Sequence, residues 1–281
     1  MTFVPDLAYN NMTSAHVGGQ DVQLPIDWST VSPLPDAVIT KVSELGFTDP
    51  SFVPNWHGTG ALSIPRAGYH FFHNGQLFWN SARQAKVFAQ ALLAQGIKDN
   101  DYFVLDNEEK DSHGNPLVSI AESLDWFYNV LVALGLTDYS RFWLYSTADI
   151  LNNLNLSKLN NAQLAILKEI NIWVAGYPAN PPTGGDLVSL PAAYTPDPAI
   201  FGPVIGWQYE ENAIVPTIPG GVDLNQIAPS FLAKWKAGTV VTPVPAPAPA
   251  PAPTPAPTPL PGWNSITINV SADGQYTVTK V

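Results

Sequence analysis

Short apolar runs punctuate the first 230 residues, and several of the stretches between them switch to helical spacing. Runs rich in branched and aromatic side chains stand at residues 3–7, 37–42, 67–72, 102–106, 142–145, 172–176, 204–209 and 221–225. Runs of this length and composition predict strands, and a run apolar at every position predicts a strand buried on both faces. Residues 81–95 instead place Ala85, Phe88 and Leu92 at helical spacing ahead of Gly96. Ser119 and Glu122 form a capping-box pattern before Ile120, Leu124, Phe127, Leu131 and Leu134, with Gly135 as the stop. Residues 10–25 are polar and read as a loop, residues 26–31 as a capped helical turn, residues 152–161 as an Asn-rich polar stretch and residues 178–203 as a Pro- and Gly-rich insertion. Strands alternating with helices predict a mainly parallel sheet, and eight strand signals predict a closed α/β barrel.

After residue 240 the pattern changes. Residues 243–261 alternate proline with Ala, Val or Thr, an uncharged polyproline II spacer about 60 Å long when extended at about 3.1 Å per residue. Residues 266–270 and 276–280 then alternate apolar with polar around Ala272-Asp273-Gly274, a hairpin signal. A lone hairpin is marginal in water, so it is expected to need a partner. The predicted organisation is a barrel over residues 1–240, a linker over 241–262 and a hairpin tail over 263–281.

Composition narrows the function classes. The chain has 23 Asp plus Glu against 12 Lys plus Arg, a net charge of −11. Only Asp273 and Lys280 lie beyond residue 240, so the acidity belongs to the barrel. Such a field repels nucleic acid and anionic membrane surfaces. The chain has no cysteine, which excludes disulfides, thiolate metal sites and cysteine nucleophiles. The start of the chain has no signal-peptide pattern and no run is long enough to span a membrane, so the expectation is synthesis in the cytoplasm.

The candidate chemistry follows from the strand at 102–106. Side chains alternate along a strand, so Asp106 and Glu108 share one face while Asn107 and Glu109 take the other. Two carboxyls in one pocket cannot both ionise cheaply, so one keeps its proton near neutral pH. Asp6 and Asp223 also stand where predicted strands end, and in a parallel barrel those ends open on one face. Each alone also reads as a turn former; their convergence is the functional signal. The aromatic residues Tyr69, Tyr145, Trp173, Trp207 and Tyr209 lie near strand ends, where sugar stacking and core packing compete as readings. His70 and His73, three apart on a strand, face oppositely, so no metal is expected. His16, His57 and His113 fall in predicted loops and are expected to be solvent exposed.

The segment Phe103-Val-Leu-Asp106-Asn-Glu108-Glu109 resembles the Asp-x-Glu strand of glycoside hydrolase family 25, the Chalaropsis-type lysozymes and phage endolysins. Ile26-Asp-Trp-Ser-Thr-Val31, Gly68-Tyr-His-Phe71, Ile172-Trp-Val-Ala175, Trp207-Gln-Tyr209 and Gly221-Val-Asp223-Leu-Asn225 are similar to other segments of that family in the same order. Two departures stand out: Val4-Pro-Asp6-Leu-Ala8 lacks the Gly and Ser of the family's Gly-Ile-Asp-x-Ser, and Glu44-Leu-Gly46 carries one residue more than its Glu-Gly. The resemblance implies a (β/α)5β3 TIM-like barrel without a cofactor that cleaves the MurNAc-β-1,4-GlcNAc bond of bacterial peptidoglycan. It also implies Glu108 as general acid, Asp106 as the partner of the substrate acetamido group or developing cation, and Asp6 and Asp223 as flanking acids. Substrate assistance, direct nucleophilic attack and an inverting water stay open. The implied setting is a phage endolysin released by a holin, or a virion-associated lysin whose residues 263–281 self-associate or attach to the particle. The competing reading is a structural virion or wall-binding protein with reduced or no activity.

Overall fold

The computed structural model describes residues 2–17, 20–74, 78–182, 185–188, 190–238, 266–270 and 276–280. The chain divides into two units, Met1–Val241 and Thr242–Val281.

In the first unit eight strands close into a barrel. They are β1 (Val4–Leu7), β4 (Val38–Glu44), β6 (Arg66–Phe71), β7 (Tyr102–Asp106), β8 (Phe142–Thr147), β9 (Asn171–Ala175), β10 (Val204–Ala213) and β11 (Val222–Ile227). Neighbours pair in the circular order β1, β4, β6, β7, β8, β9, β10, β11 and back to β1, and all pairs are parallel except the two made by β11. A short strand β5 (Phe47–Thr48) folds back on β4. Every residue of β7 and β9 is buried, as their unbroken apolar runs require of strands covered on both faces.

The helices are α1 (Phe52–Ala61), α2 (Ser81–Gln95), α3 (Ile120–Leu134), α4 (Ala148–Asn153), α5 (Asn161–Glu169) and α6 (Pro229–Ala237). Helix α2 spans the predicted residues and buries Ala85, Phe88 and Leu92. Helix α3 opens with the predicted Ser119–Glu122 capping box and ends at Gly135 in the left-handed region at φ 66°. The outward side chains of the strands, such as Phe103, Leu105, Phe142 and Leu144, pack with Phe88, Phe127 and Val130 of these helices into the layer between barrel and helices.

Three expectations are corrected. Residues 10–25, expected as a loop, contain an antiparallel hairpin of β2 (Thr13–Val17) and β3 (Gln20–Leu24), paired from Thr13↔Leu24 to Val17↔Gln20. Apolar and polar residues do not alternate regularly through the whole of Thr13–Val17 or Gln20–Leu24, so the period-two signal is weak. Helix α1 went unpredicted because Pro54, Gly58 and Gly60 interrupt it; a Cβ at Gly58 would lie 2.0 Å from the Trp28 ring, so the glycine admits that indole. Helices α4 and α5 flank the Asn-rich stretch, whose asparagines act as caps: Asn155 and Asn160 accept from Ser157 N and Gln163 N.

The barrel interior is filled by Val4, Ile39, Tyr102, Val104, Trp143 and Trp173, and Leu232 and Trp235 of α6 close one end. Tyr102, the first residue of β7, packs edge-on against Trp235 with ring centres 5.6 Å apart. Helix α6 therefore plugs the amino ends of the strands and leaves the carboxyl ends open.

In the second unit β12 (Ile266–Val270) and β13 (Tyr276–Lys280) pair antiparallel, from Ile266↔Lys280 to Val270↔Tyr276. The proline spacer and the turn at 271–275 lie outside the described residues.

Candidate active site

The exit of β7 fixes the first two acids. Asp106 is the last strand residue, inward like Val104 and Tyr102, and is paired with Tyr145 of β8. Asn107 turns outward: its N–H donates to Tyr145 O at 3.0 Å, its Nδ2 to Ser123 Oγ of α3 at 3.0 Å, and its carbonyl accepts from Ser146 Oγ at 2.6 Å. With Asn107 held outward, Glu108 returns to the barrel axis, as the alternation predicts. Glu109 points to the rim, where it meets His73.

The other predicted acids arrive through the β1–β11 pairing. Asp6 and Asp223 face each other in register across these antiparallel strands. Asp6, Asp106, Glu108 and Asp223 line one cleft of about 390 Å³ at the carboxyl ends of the strands, with Glu211, Lys41, Tyr69, Tyr145, Tyr177 and Gln208. The sequence thus brought all four acids to one place.

Their electrostatics follow from burial and crowding. Removal from water pushes Asp106 well above the usual carboxylate range, and Glu108 and Asp6 push it further. Asp6 is raised well above its ordinary value chiefly by burial, then by Asp223 and Glu108. Glu108 is raised by burial and by Asp223, against a lowering contact from the Tyr145 hydroxyl. Asp223 is raised by burial, against its hydrogen bond from the Asn212 N–H at 3.1 Å. Oδ1 of Asp6 and Oδ1 of Asp106 are buried with no protein partner among the described residues. The cleft therefore holds carboxyls whose pKa values are all displaced toward protonation, and two buried carboxyl oxygens without a protein partner among the described residues.

A polar network orients Asp6. Tyr145 Oη donates to Gln208 Oε1 at 2.6 Å, and Tyr177 Oη donates to the same oxygen. Because its oxygen is committed to two hydroxyls, the Gln208 amide nitrogen turns to Asp6 Oδ2 at 3.2 Å. Burial and the nearby Glu108 and Asp106 hold the Tyr145 phenol well above its ordinary value, so it stays a donor.

The predicted aromatic residues separate. Tyr69 and Tyr145 line the cleft. Trp173 lies beneath it in the barrel interior, 1% exposed, its Nε1 donating to Asn225 Oδ1 at 2.8 Å and its ring centre 4.3 Å from that of Tyr145. Trp207 and Tyr209 point out of the barrel and pack with Leu187, and Trp207 Nε1 donates to Gly176 O at 2.7 Å. The cause is the alternation of β10, which turns Gln208 inward and its two aromatic neighbours outward. The expected stacking residues Trp207 and Tyr209 therefore face away from the cleft, and the residue between them, Gln208, lines it.

Sequence reasoning missed Gln208, Tyr177, Lys41 and Glu211. For Gln208 and Lys41 a signal existed, since Gln208 stands between the aromatic residues Trp207 and Tyr209 and Lys41 is a charge in the middle of a largely buried strand. Among the histidines, His70 is buried between Ser43 Oγ and Gln84 Oε1, at 2.8 and 3.0 Å, and desolvation lowers its pKa to about 3, so it stays neutral. His57 lies on α1 instead of the expected loop, its Nε2 2.8 Å from Gln95 Oε1. The side chain of His113 is 82% exposed, and that of His16 lies outside the described residues. No group of three or more His, Cys, Asp or Glu residues among the described residues is arranged to hold a metal ion.

The sequence matches the model of Glycosyl hydrolases family 25 over residues 20–218. The chain belongs to glycosyl hydrolase family 25. Asp106 and Glu108 lie inside the matched span, Asp6 and Asp223 outside it. No curated protein sequence matches the chain. Among solved structures, the family 25 barrel is similar to the catalytic domain of the endolysin ply40 from bacteriophage P40 of Listeria monocytogenes, with TM-score 0.56 and 19% identity over 85% of this chain and 98% of that one. It is similar to the bacterial lysozyme of Streptomyces coelicolor, with TM-score 0.55 and 22% identity over 84% and 96%. It is also similar to the spore cortex lytic enzyme SleM of Clostridium perfringens, with TM-score 0.56 and 22% identity over 80% and 67%. Identities this low speak for the fold; membership of the family makes the chain a glycoside hydrolase.

Proposed function

We propose that this family 25 member is an N-acetylmuramidase that hydrolyses the MurNAc-β-1,4-GlcNAc bond of bacterial peptidoglycan. The observation that carries the reading is the sharing of one cleft by Glu108, with its raised pKa, and Asp106, whose Oδ1 has no partner. A glycosidic bond needs a proton on its leaving oxygen and negative charge beside the developing oxocarbenium ion. Glu108 supplies the proton. Asp106 Oδ1 accepts the N–H of the 2-acetamido group, whose oxygen attacks its own anomeric carbon as the bond to the leaving oxygen breaks. Water then opens the resulting ring, giving its proton back to Glu108. Asp6 and Asp223 stabilise the positive charge from the opposite side of the cleft, and Tyr69, Tyr145 and Tyr177 offer ring faces to the sugars.

The biological setting proposed is a phage endolysin or virion-associated lysin, acting on the wall from the cytoplasm after release or from a particle. The likeness to a phage endolysin catalytic domain supports it. No helix among the described residues is long and apolar enough to cross a membrane. Residues 263–281 are proposed to self-associate or to attach to a virion; light scattering of the full chain and of a chain ending at residue 261 tests the first, since an unchanged mass per particle removes it.

Digestion of purified Gram-positive walls tests the activity. New reducing ends on muramic acid support it, while release of free amines, of reducing ends on glucosamine, or of neither overturns it.

A further inference from the structure

At the rim of the cleft a lysine, a histidine and two glutamates touch in turn. Lys41 Nζ lies 2.6 Å from Glu44 Oε2, Glu44 Oε1 lies 2.7 Å from His73 Nε2, and His73 Nδ1 lies 2.6 Å from Glu109 Oε1. The second oxygen of Glu109 accepts the backbone N–H of Asn74 at 2.9 Å. These groups come from three segments: β4, the turn after β6 and the exit of β7. Phe71 lies against both Lys41 and His73, with Lys41 Nζ 4.9 Å from its ring centre and the His73 ring edge-on at 4.8 Å.

Both His73 contacts are hydrogen bonds only when the ring carries two protons, because a carboxylate oxygen accepts and a neutral imidazole has a single N–H. The chain of charges is then plus, minus, plus, minus. Lys41 is the only Lys, Arg or His among the described residues that line the cleft. Its charge favours ionisation of Asp6, Asp106 and Glu108, whereas the charge of Glu44 opposes ionisation of Asp106. A protonated His73 masks Glu44, and Glu109 holds His73 in place. Two other described groups facing His73 add no charge: Gln84 of α2 accepts its backbone N–H at 3.3 Å, and buried His70 of β6 is neutral.

We propose that Glu44, His73 and Glu109 form a positioning bridge that fixes Lys41 at the mouth and so sets how the cleft acids share their protons. The role assigned to those protons rests on the reading of the cleft as the site of glycan hydrolysis. His73 and Glu109 touch no substrate and act through Lys41. Glu109, turned away from the cleft by strand alternation, thereby still serves it.

Carboxyl-carbon NMR titration of the full chain tests the bridge without substrate. His73→Gln should move the midpoints of the Asp106 and Glu108 carboxyls to higher pH, by less than the roughly 1–3 units a directly facing charge produces. Lys41→Gln should move them further, and His73→Arg, which keeps the cation, should restore the wild-type midpoints. In wall digestion both limbs of the pH–kcat/KM profile should rise in the same order. Midpoints unmoved in a folded His73→Gln chain, or displaced equally in His73→Arg, overturn the bridge. A wild-type chain that releases no reducing ends overturns the hydrolase reading, while the NMR midpoints still decide the bridge.

Discussion

Strands β6 and β7 carry buried charge at both ends, and the two ends treat it oppositely. At the amino ends, Arg66 Nε and Nη2 clasp the two oxygens of Asp101 at 2.9 and 3.0 Å, Arg66 Nη1 donates to Trp56 O at 2.6 Å, and the Lys98 N–H caps Asp101 at 2.6 Å. The guanidinium also lies 3.8 Å from the Trp56 ring centre. At the carboxyl ends of the same strands Asp106 is as buried, at 6% exposure, yet it faces Glu108 and Asp6, and one of its oxygens has no partner. A buried charge without compensation costs stability, whereas a bidentate pair of opposite charges does not strand one. The closed end pairs its buried acid, and the open end leaves one oxygen each of Asp6 and Asp106 without a protein partner among the described residues.

Breaking each end should have a different signature. The largest effect expected is on activity: Glu108→Gln should lower reducing-end release by about 10²–10⁴-fold, the span of a general acid, with the melting temperature not lowered. Next, Asp101→Asn should leave the Arg66 charge buried with half its clasp and lower stability by about 3–5 kcal/mol, read by denaturant unfolding. Smallest is Tyr177→Phe, which removes one of the two donors to Gln208 and should reduce kcat/KM by an amount set by one hydrogen bond, about 0.5–1.5 kcal/mol. A Tyr177→Phe loss as large as that of Glu108→Gln would mean that the mouth depends on the tyrosine directly and not on the orientation of Asp6.

The contrast also explains what the chain revealed before it was folded. The eight barrel strands were legible because burial on both faces leaves unbroken apolar runs such as Tyr102–Asp106. The four acids were legible because they sit at the ends of those runs, where parallel closure must gather them. Helix α1 was hidden by Pro54, Gly58 and Gly60, which local propensity marks as breakers and which packing against Trp28 overrides. The inward turn of Gln208 depended on the phase of β10, which composition does not set; two aromatic neighbours drew attention to the wrong face. The rim bridge was beyond reach, since Lys41, Glu44, His73 and Glu109 meet only when β4, β6 and β7 lie side by side.

The most direct test replaces one carboxylate at each end by its amide and reads stability and activity together. Because the native pKa of Asp106 lies above its unfolded value, ionisation costs stability at neutral pH, and that cost fades as pH falls below the unfolded carboxylate range. Asp106→Asn should therefore raise the melting temperature at pH 7, lose that advantage near pH 3, and release few or no reducing ends. Asp101→Asn should lower the melting temperature and, below that temperature, cut walls at close to the wild-type rate. If Asp106→Asn proves less stable than wild type at pH 7, or keeps wild-type activity, the open end does not hold its buried acids at a cost to stability for the proposed chemistry.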